Sequence, residues 1–415
     1  MNVVGLITEY NPFHKGHEYH ITKAKELTGA NHAVVIMSGN YVQRGTPAFM
    51  NKHDRTEIAL KHGADLVLEL PLPFSCSSAE YFALAAVSVL HKTGIVDSIC
   101  FGAETDDLDL LKKIAYILTD AKNTSTHPIN HFIKKYIKNG ASYASARAMA
   151  LCEFIDNEDI KSIIEQPNNI LAIEYLKSLT MLNSHIKPFL LKRTISSYHD
   201  ISTNDYMYSA SSLRKGFTEE QYLETIFSFD DIYKKNYNFS YPIAENDFDY
   251  IVAAKLTEKI HSDTNLTIYN NIDEQLANRI INNYKEYGYK GFNEFCMTLK
   301  SKNLAYTSIC RGLLAILLDI KKSDMNEYLN NNICNFVKIL GFNKSASKLL
   351  NQIKNKSNLT IIGQLSEMQN DDTLNGIDRM MLNKSIYADE LYNSVVRLKY
   401  SNDIPNEYRR KLIVK

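Results

Sequence analysis

Nothing in this 415-residue sequence is long and apolar enough to cross a bilayer, no two cysteines form a Cys-x-x-Cys pair, and neither sign of charge is in excess. Each lack excludes a class. A membrane-spanning helix takes about 20 consecutive apolar residues, so no membrane association is expected. The six cysteines stand apart, at 76, 100, 152, 296, 310 and 334. They spell neither a zinc site nor a disulfide framework and read as reduced, mostly buried thiols of a cytoplasmic protein. The opening "MNVVGLITEY" has no basic stretch ahead of a long apolar one, so it does not read as a signal peptide. With 47 basic and 47 acidic side chains the formal net charge is zero. No global field draws in nucleic acid, and any such binding must use a local patch. Tryptophan is also absent, which excludes nothing. What is present, 45% hydrophobic and 23% charged residues, is ordinary for a globular chain of two or three domains with a sizeable core.

The first hundred residues alternate between two textures. "VVGLITEY" from Val3, "HAVVIMSG", "DLVLELP" and "VDSICFGAE" are short, nearly continuous apolar runs, as expected of buried parallel strands. Between them "HEYHITKAKELTG", "KHDRTEIALKHGA" and "SAEYFALAAVSVLHKTG" have helical spacing, the first ending at Gly29 as a C-cap. This alternation predicts an α/β fold with a Rossmann-like parallel sheet and helices on its faces. Ligands in such sheets bind past the carboxyl ends of the strands, near the switch point. Helical patterns dominate from about 107 to 165, read as an insertion. "QPNNILAIEYLKSLTML" then predicts a helix, "IKPFLLKR" a last strand, and "YSASSLRKGF" a turn into another helix. Residues 1–217 are expected to form the catalytic domain. From 218 to 415 the texture predicts a mainly α-helical domain, "ICNFVKILGF" included among its helices.

"NPFHKGH" falls between the first strand and the first helix. A helix N-terminus carries unpaired N–H groups and the positive end of its dipole, and phosphate is its usual tenant. His14 and His17 straddle Gly16, which removes a Cβ from a close approach. Two imidazoles there can donate to phosphate oxygens, best as charge grows in an in-line displacement. The bland alternative is a pair of surface histidines at a helix cap. A zinc site is disfavoured because the spacing is not His-Glu-x-x-His, and no metal ligands are assigned.

"HKGH" in this position resembles the H-x-G-H signature of the nucleotidyltransferase superfamily, whose members split ATP between its α- and β-phosphates. "SASSLR" at Ser209–Arg214 resembles that superfamily's Ser-rich second motif, although it also reads as a capped helix start. Longer strings are similar to one bacterial family, the tRNA(Met) cytidine acetate ligases: "GLITEYNPFHKGH", "VVIMSGNYVQRGTPA", "GADLVLELP", "FGAET", "PNNILAIEYLK" and "KRTISSYHD". The likeness covers essentially the whole chain. It implies that acetate attacks the α-phosphate of ATP, that acetyl-adenylate forms, and that the wobble cytidine of elongator tRNA(Met) accepts the acetyl group as N4-acetylcytidine. Acetyl-CoA is not used.

The same resemblance implies the site. Ile7, Thr8, Glu9, Tyr10, Asn11, Pro12, Phe13, His14, Lys15, Gly16, His17, Glu18, Tyr19 and His20 would line the nucleotide pocket, with His14 and His17 on the phosphates. Gly102 would leave room for base or ribose. Asn168 and Asn169, at a helix start, would read adenine or ribose, simple N-capping being as good a reading for one of them. Arg193 would hold phosphates, next to Thr194, and Arg214 would neutralise the leaving pyrophosphate beside Ser209 and Ser211. Mg²⁺ is expected with ATP, bridging phosphate oxygens. The loop with Gln43 and Arg44 can fold over the site.

RNA contact is expected from local charge: Lys134, Lys135, Lys138 and Arg147; Arg409, Arg410 and Lys411; or Lys344 and Lys348. Any one cluster is as readily a solvated face. Two other functions stay open, an adenylyltransferase acting on a small molecule and a non-catalytic RNA-binding protein. Oligomeric state is left unassigned.

Overall fold

The computed structural model describes residues 2–141, 143–157, 159–193, 209–218, 223–302, 304–368 and 373–415. The strands are β1 (Val3–Thr8), β2 (His32–Ser38), β3 (Tyr41–Val42), β4 (Thr46–Pro47), β5 (Leu66–Leu70), β6 (Ser98–Ala103), β7 (Lys187–Lys192), β8 (Phe336–Phe342), β9 (Thr360–Ile362) and β10 (Ile413–Val414). Five of them pair in parallel in the order β5-β2-β1-β6-β7. β1 therefore sends the chain to β2 on one side and meets β6 on the other. That reversal is the switch point, and it opens a crevice beyond Thr8 and Ala103.

Local chemistry explains the framework. β1, β2 and β5 are buried along almost their whole length, as continuous apolar strands covered on both faces must be. The first helix, Lys15–Thr28, is closed by Gly29 in the left-handed region at φ 64°. Helices Leu108–Asn123, Pro128–Lys138, Tyr143–Ile155, Asp159–Glu165 and Pro167–Met181 lie between β6 and β7.

One element differs from expectation. "ICNFVKILGF" does not form a helix: Phe336–Phe342 is β8, paired antiparallel with β5. Both faces of this strand are buried, so it shows no alternation, and a short apolar run without alternation is shared by buried strands and buried helices. β9 and β10 add to β8 in parallel. Residues 218–415 thus supply three strands to the sheet begun by residues 1–217, along with helices such as Asp249–His261, Glu274–Tyr287, Tyr306–Leu317 and Gly376–Tyr400. Among the described residues no helix is long and apolar enough to cross a membrane.

Candidate nucleotide site at the end of β1

Past Thr8 the chain turns sharply, with Tyr10 at φ 47° and a cis Asn11–Pro12 bond. Tyr10 and Phe13 anchor this turn in the core, their rings edge to face at 4.7 Å. Side chains and backbone from three later segments clamp it. Phe49 N–H donates to Asn11 Oδ1 (2.7 Å), the Tyr233 hydroxyl to the Phe13 carbonyl (2.6 Å), and Arg214 Nη1 to the Asn11 carbonyl (2.5 Å).

His14 is the N-cap of the first helix. Its Nδ1 accepts the Gly16 N–H at 3.1 Å, and its carbonyl accepts the His17 N–H at 2.8 Å. The ring proton of neutral His14 is therefore on Nε2, which is left to donate outward. The capping role and the phosphate role are thus compatible, one ring nitrogen serving each. Gly16 is required by this fold-back, since a Cβ there would lie 2.9 Å from His14 Cε1. The His14 and His17 rings stack at 3.7 Å between centroids. Among the described residues, His17 Nδ1 and, one turn on, His20 Nε2 are buried with no hydrogen-bond partner.

Such orphaned atoms cost free energy unless a ligand meets them. Burial, then the nearby Arg193 charge, pulls His14 and His20 down to about 4; at His20 the Cys100 carbonyl opposes this. Burial first, then His14, His20 and Arg193, holds His17 well below the usual imidazole range. At neutral pH the site presents uncharged imidazoles under a guanidinium, a setting that favours an incoming anion.

Other expected residues are placed as follows. Arg193 follows β7, its N–H donating to the Ala103 carbonyl at 2.7 Å. Its side chain passes over Gly102, where a Cβ would come within 3.1 Å of Arg193 Cγ. The space at Gly102 is thus filled by Arg193. Thr194 lies outside the described residues. Asn169 is buried and held at both ends of its amide: Oδ1 accepts from Glu104 N (2.9 Å) and Thr105 N (3.1 Å), and Nδ2 donates to the Ile163 carbonyl (2.9 Å). Asn168 gives Nδ2 to Glu104 Oε1 at 2.6 Å. The Glu104 carboxylate also takes the backbone N–H groups of Asn168 and Asn169, capping helix Pro167–Met181. Ser209 starts helix Ala210–Thr218, its Oγ 2.9 Å from Ser212 Oγ and 3.3 Å from Ser211 Oγ. Burial lowers Arg214, the Arg44 charge adds to this, and Glu9 opposes it.

Lys15 is exposed at the helix start. Glu18 turns to His62 Nδ1 (3.0 Å), and Tyr19 lies at the surface under Lys23. The expected RNA clusters are spread out: Lys135 pairs with Glu153 at 3.0 Å, Arg147 with Glu174 at 3.5 Å, while Lys134, Lys138, Lys344, Lys348, Arg409 and Lys411 are exposed.

The roles of two residues were not read from the sequence. Glu104, read as the last residue of the fourth strand run, lies just past β6 and orders the crevice wall. Arg55, mid-helix in Lys52–Lys61, was not singled out; it is fully buried and donates to the carbonyls of Met50, Ser38, Gly39 and Glu9, tying the ends of β1 and β2 together. Nothing in the local pattern flags either. The Gln43–Arg44 turn does lie at the crevice, with Gln43 N–H donating to Glu9 Oε1 at 2.8 Å.

Residues 1–407 match the family model described as HIGH Nucleotidyl Transferase. A tRNA(Met) cytidine acetate ligase from Clostridium novyi is 38% identical, over 96% of this chain and all of that protein. Its counterpart from Halothermothrix orenii is 35% identical over 100% and 99% of the two chains. The crystal structure of Thermotoga maritima TmcAL bound with alpha-thio ATP superposes with a TM-score of 0.88 at 26% identity, covering 100% of this chain and 99% of that one.

Proposed function

The chain belongs to the HIGH nucleotidyltransferases and, within them, to the tRNA(Met) cytidine acetate ligases; from that membership we propose how its residues divide the ATP-dependent acetylation of tRNA cytidine. The run Ile7–His20 lines the nucleotide, with the triphosphate against the N-terminus of the first helix. An acetate oxygen attacks the α-phosphorus, and pyrophosphate leaves. His14 Nε2–H and the His17 ring donate to the phosphate oxygens as their charge grows. Arg193 and Arg214 balance the charge of the departing pyrophosphate. Asn168, the amide with hydrogen-bonding capacity to spare, faces the nucleoside, while Asn169 holds the crevice wall. Among the described residues no group of three or more His, Cys, Asp or Glu side chains is arranged to hold a metal ion. Mg²⁺ accompanying ATP would be carried by the triphosphate beside Arg193 and Arg214, and would help to offset the charge of the departing pyrophosphate. The acetyl-adenylate then passes its acetyl group to N4 of the wobble cytidine of elongator tRNA(Met), in the cytoplasm.

The observation that carries this reading is the stacked His14–His17 pair at a helix N-terminus, with His17 Nδ1 unpartnered. The test supplies ATP, labelled acetate and unmodified elongator tRNA(Met). Label in the tRNA at cytidine N4 is the expected result. Acetate-dependent AMP release without tRNA labelling would redirect the reading to a small-molecule acceptor, and no acetate-dependent AMP release would end it.

A further inference from the structure

Glu9 is the first residue past β1, a half-buried residue where several elements meet. Oε1 is fixed by the Gln43 N–H at 2.8 Å. Oε2 has no hydrogen-bond partner among the described residues. Arg44 from the hairpin turn, Arg214 from helix Ala210–Thr218 and Arg55 from helix Lys52–Lys61 all act on its charge. Its own charge acts on the Tyr175 hydroxyl, on helix Pro167–Met181.

The element that holds Glu9 is stiff. β3 and β4 pair on either side of the turn, and Gly45 sits in it at φ 82°. A Cβ on Gly45 would fall 2.4 Å from Arg311 N, and Arg311 Nη1 reaches back to the Gln43 carbonyl at 3.4 Å. One carboxylate oxygen is anchored and the other is kept in place as a vacant acceptor.

The acyl-transfer half of the reaction needs such an acceptor. Cytosine N4 carries two N–H bonds and must lose one proton to become an amide. The arginines around the site are permanent donors. His14 Nδ1 is occupied by Gly16, and its Nε2 already carries the proton. A carboxylate accepting from N4 is also the usual side-chain match for cytosine.

We propose that Glu9 Oε2 accepts a hydrogen bond from the cytidine N4 amine and takes its proton during acetyl transfer, a role that rests on the ligase reading above. N4 attacks the acetyl carbon and the C–N bond forms. The N4 proton moves to Glu9, the bond from the acetyl carbon to the phosphate oxygen breaks, and AMP leaves with that electron pair. Glu9 then returns the proton to water. Burial raises the pKa of Glu9, while the Gln43 N–H and the three arginines hold that rise back. The result is a carboxylate more basic than a solvated one, as a general base requires.

Glu9→Gln keeps an oxygen for the Gln43 N–H and replaces the vacant acceptor with a donor. Two rates are measured on one preparation: acetate-dependent ATP–pyrophosphate exchange, and single-turnover acetyl transfer to elongator tRNA(Met). Transfer should fall about 100-fold further than exchange. The wild-type transfer rate should rise with pH through the Glu9 pKa and then level, and this acid limb should vanish in E9Q. Glu9→Asp, a shorter carboxylate, should recover part of the transfer and the limb, and it carries the test if E9Q does not fold. Equal losses in exchange and transfer, or near-normal transfer with the limb intact, overturn the proposal. A wild-type protein that exchanges pyrophosphate but never labels tRNA removes instead the ligase reading beneath it, and the proposal with it.

Discussion

Two groups of ionisable side chains lie toward the carboxyl ends of neighbouring parts of the sheet, and the protein treats them in opposite ways. Beyond β1, His17 Nδ1 and His20 Nε2 are buried without partners among the described residues, and burial keeps the rings uncharged. At β5, Lys52 is fully buried and surrounded: Nζ lies 2.7 Å from Glu69 and 3.1 Å from Glu407, and also meets Asp389. Lys338 joins Glu407 at 2.6 Å, His53 Nε2 joins it at 3.0 Å, and Asn40 donates to Asp389 at 2.9 Å. Three carboxylates face two ammonium groups, so one negative charge is left over. Burial, opposed by Lys52 but reinforced by the other two acids, pushes Asp389 up to about 7. The difference is instructive. Polar groups buried with all their partners hold architecture together, here binding β8, helix Gly376–Tyr400 and the C-terminal tail to β5 and helix Lys52–Lys61. The unpartnered imidazoles stand instead at the proposed phosphate site, where a bound ligand would supply the missing partners.

The contrast is open to direct attack. Lys52→Met removes the ammonium that meets all three buried carboxylates, leaving Lys338 to face them with one cation fewer, and should cost about 3–5 kcal/mol of folding stability, read as a lower denaturant midpoint. A loss near zero would mean that the second half is held to the sheet by other contacts. His14→Ala and His17→Ala should show the reverse pattern. Each should lose roughly 2–4 kcal/mol of transition-state stabilisation in acetate-dependent pyrophosphate exchange, with an unchanged midpoint. Asn169→Ala tests the wall of the crevice. It frees the Glu104 and Thr105 N–H groups and should cost about 1–3 kcal/mol in stability, whereas Asn168→Ala should act on the KM for ATP with little change in midpoint.

The smallest effect concerns pH. His14 and His20 titrate near 4 in the folded chain, against about 6.5 for a solvated imidazole. Between these values the unfolded chain binds more protons, so stability rises with pH there and is lost as pH falls from about 6.5 toward 4. Triphosphate should favour the charged rings, so ATP binding should take up protons and tighten as pH falls through this window. Calorimetry in buffers of different ionisation enthalpy would detect the uptake. Its absence in wild type would separate the histidines from the phosphates.

Much of the fold was legible because its signals are local. β1, β2, β5 and β6 are apolar runs with short links, and Gly29 closes the first helix as its position suggested. β8 was misread because a seven-residue apolar segment buried on both faces carries no period. In the site, the His14 and His17 placement followed from strand, glycine turn and helix. The loop with Gln43 was expected over the site, but its bond to Glu9 and the roles of Glu104 and Arg55 were not legible, since each depends on groups tens of residues away along the chain.

By itself, then, the order of residues determined a parallel α/β core and set a pair of imidazoles at the junction of its first strand and helix. Periodicity and capping act over a few residues, and the chain states them outright. Tertiary structure decided which strand extends the sheet beyond β5, that Arg193 lies over Gly102, and that Glu9 is gripped by one oxygen and left vacant at the other. Those arrangements join residues from distant parts of the chain, and only close packing selects which side chains meet.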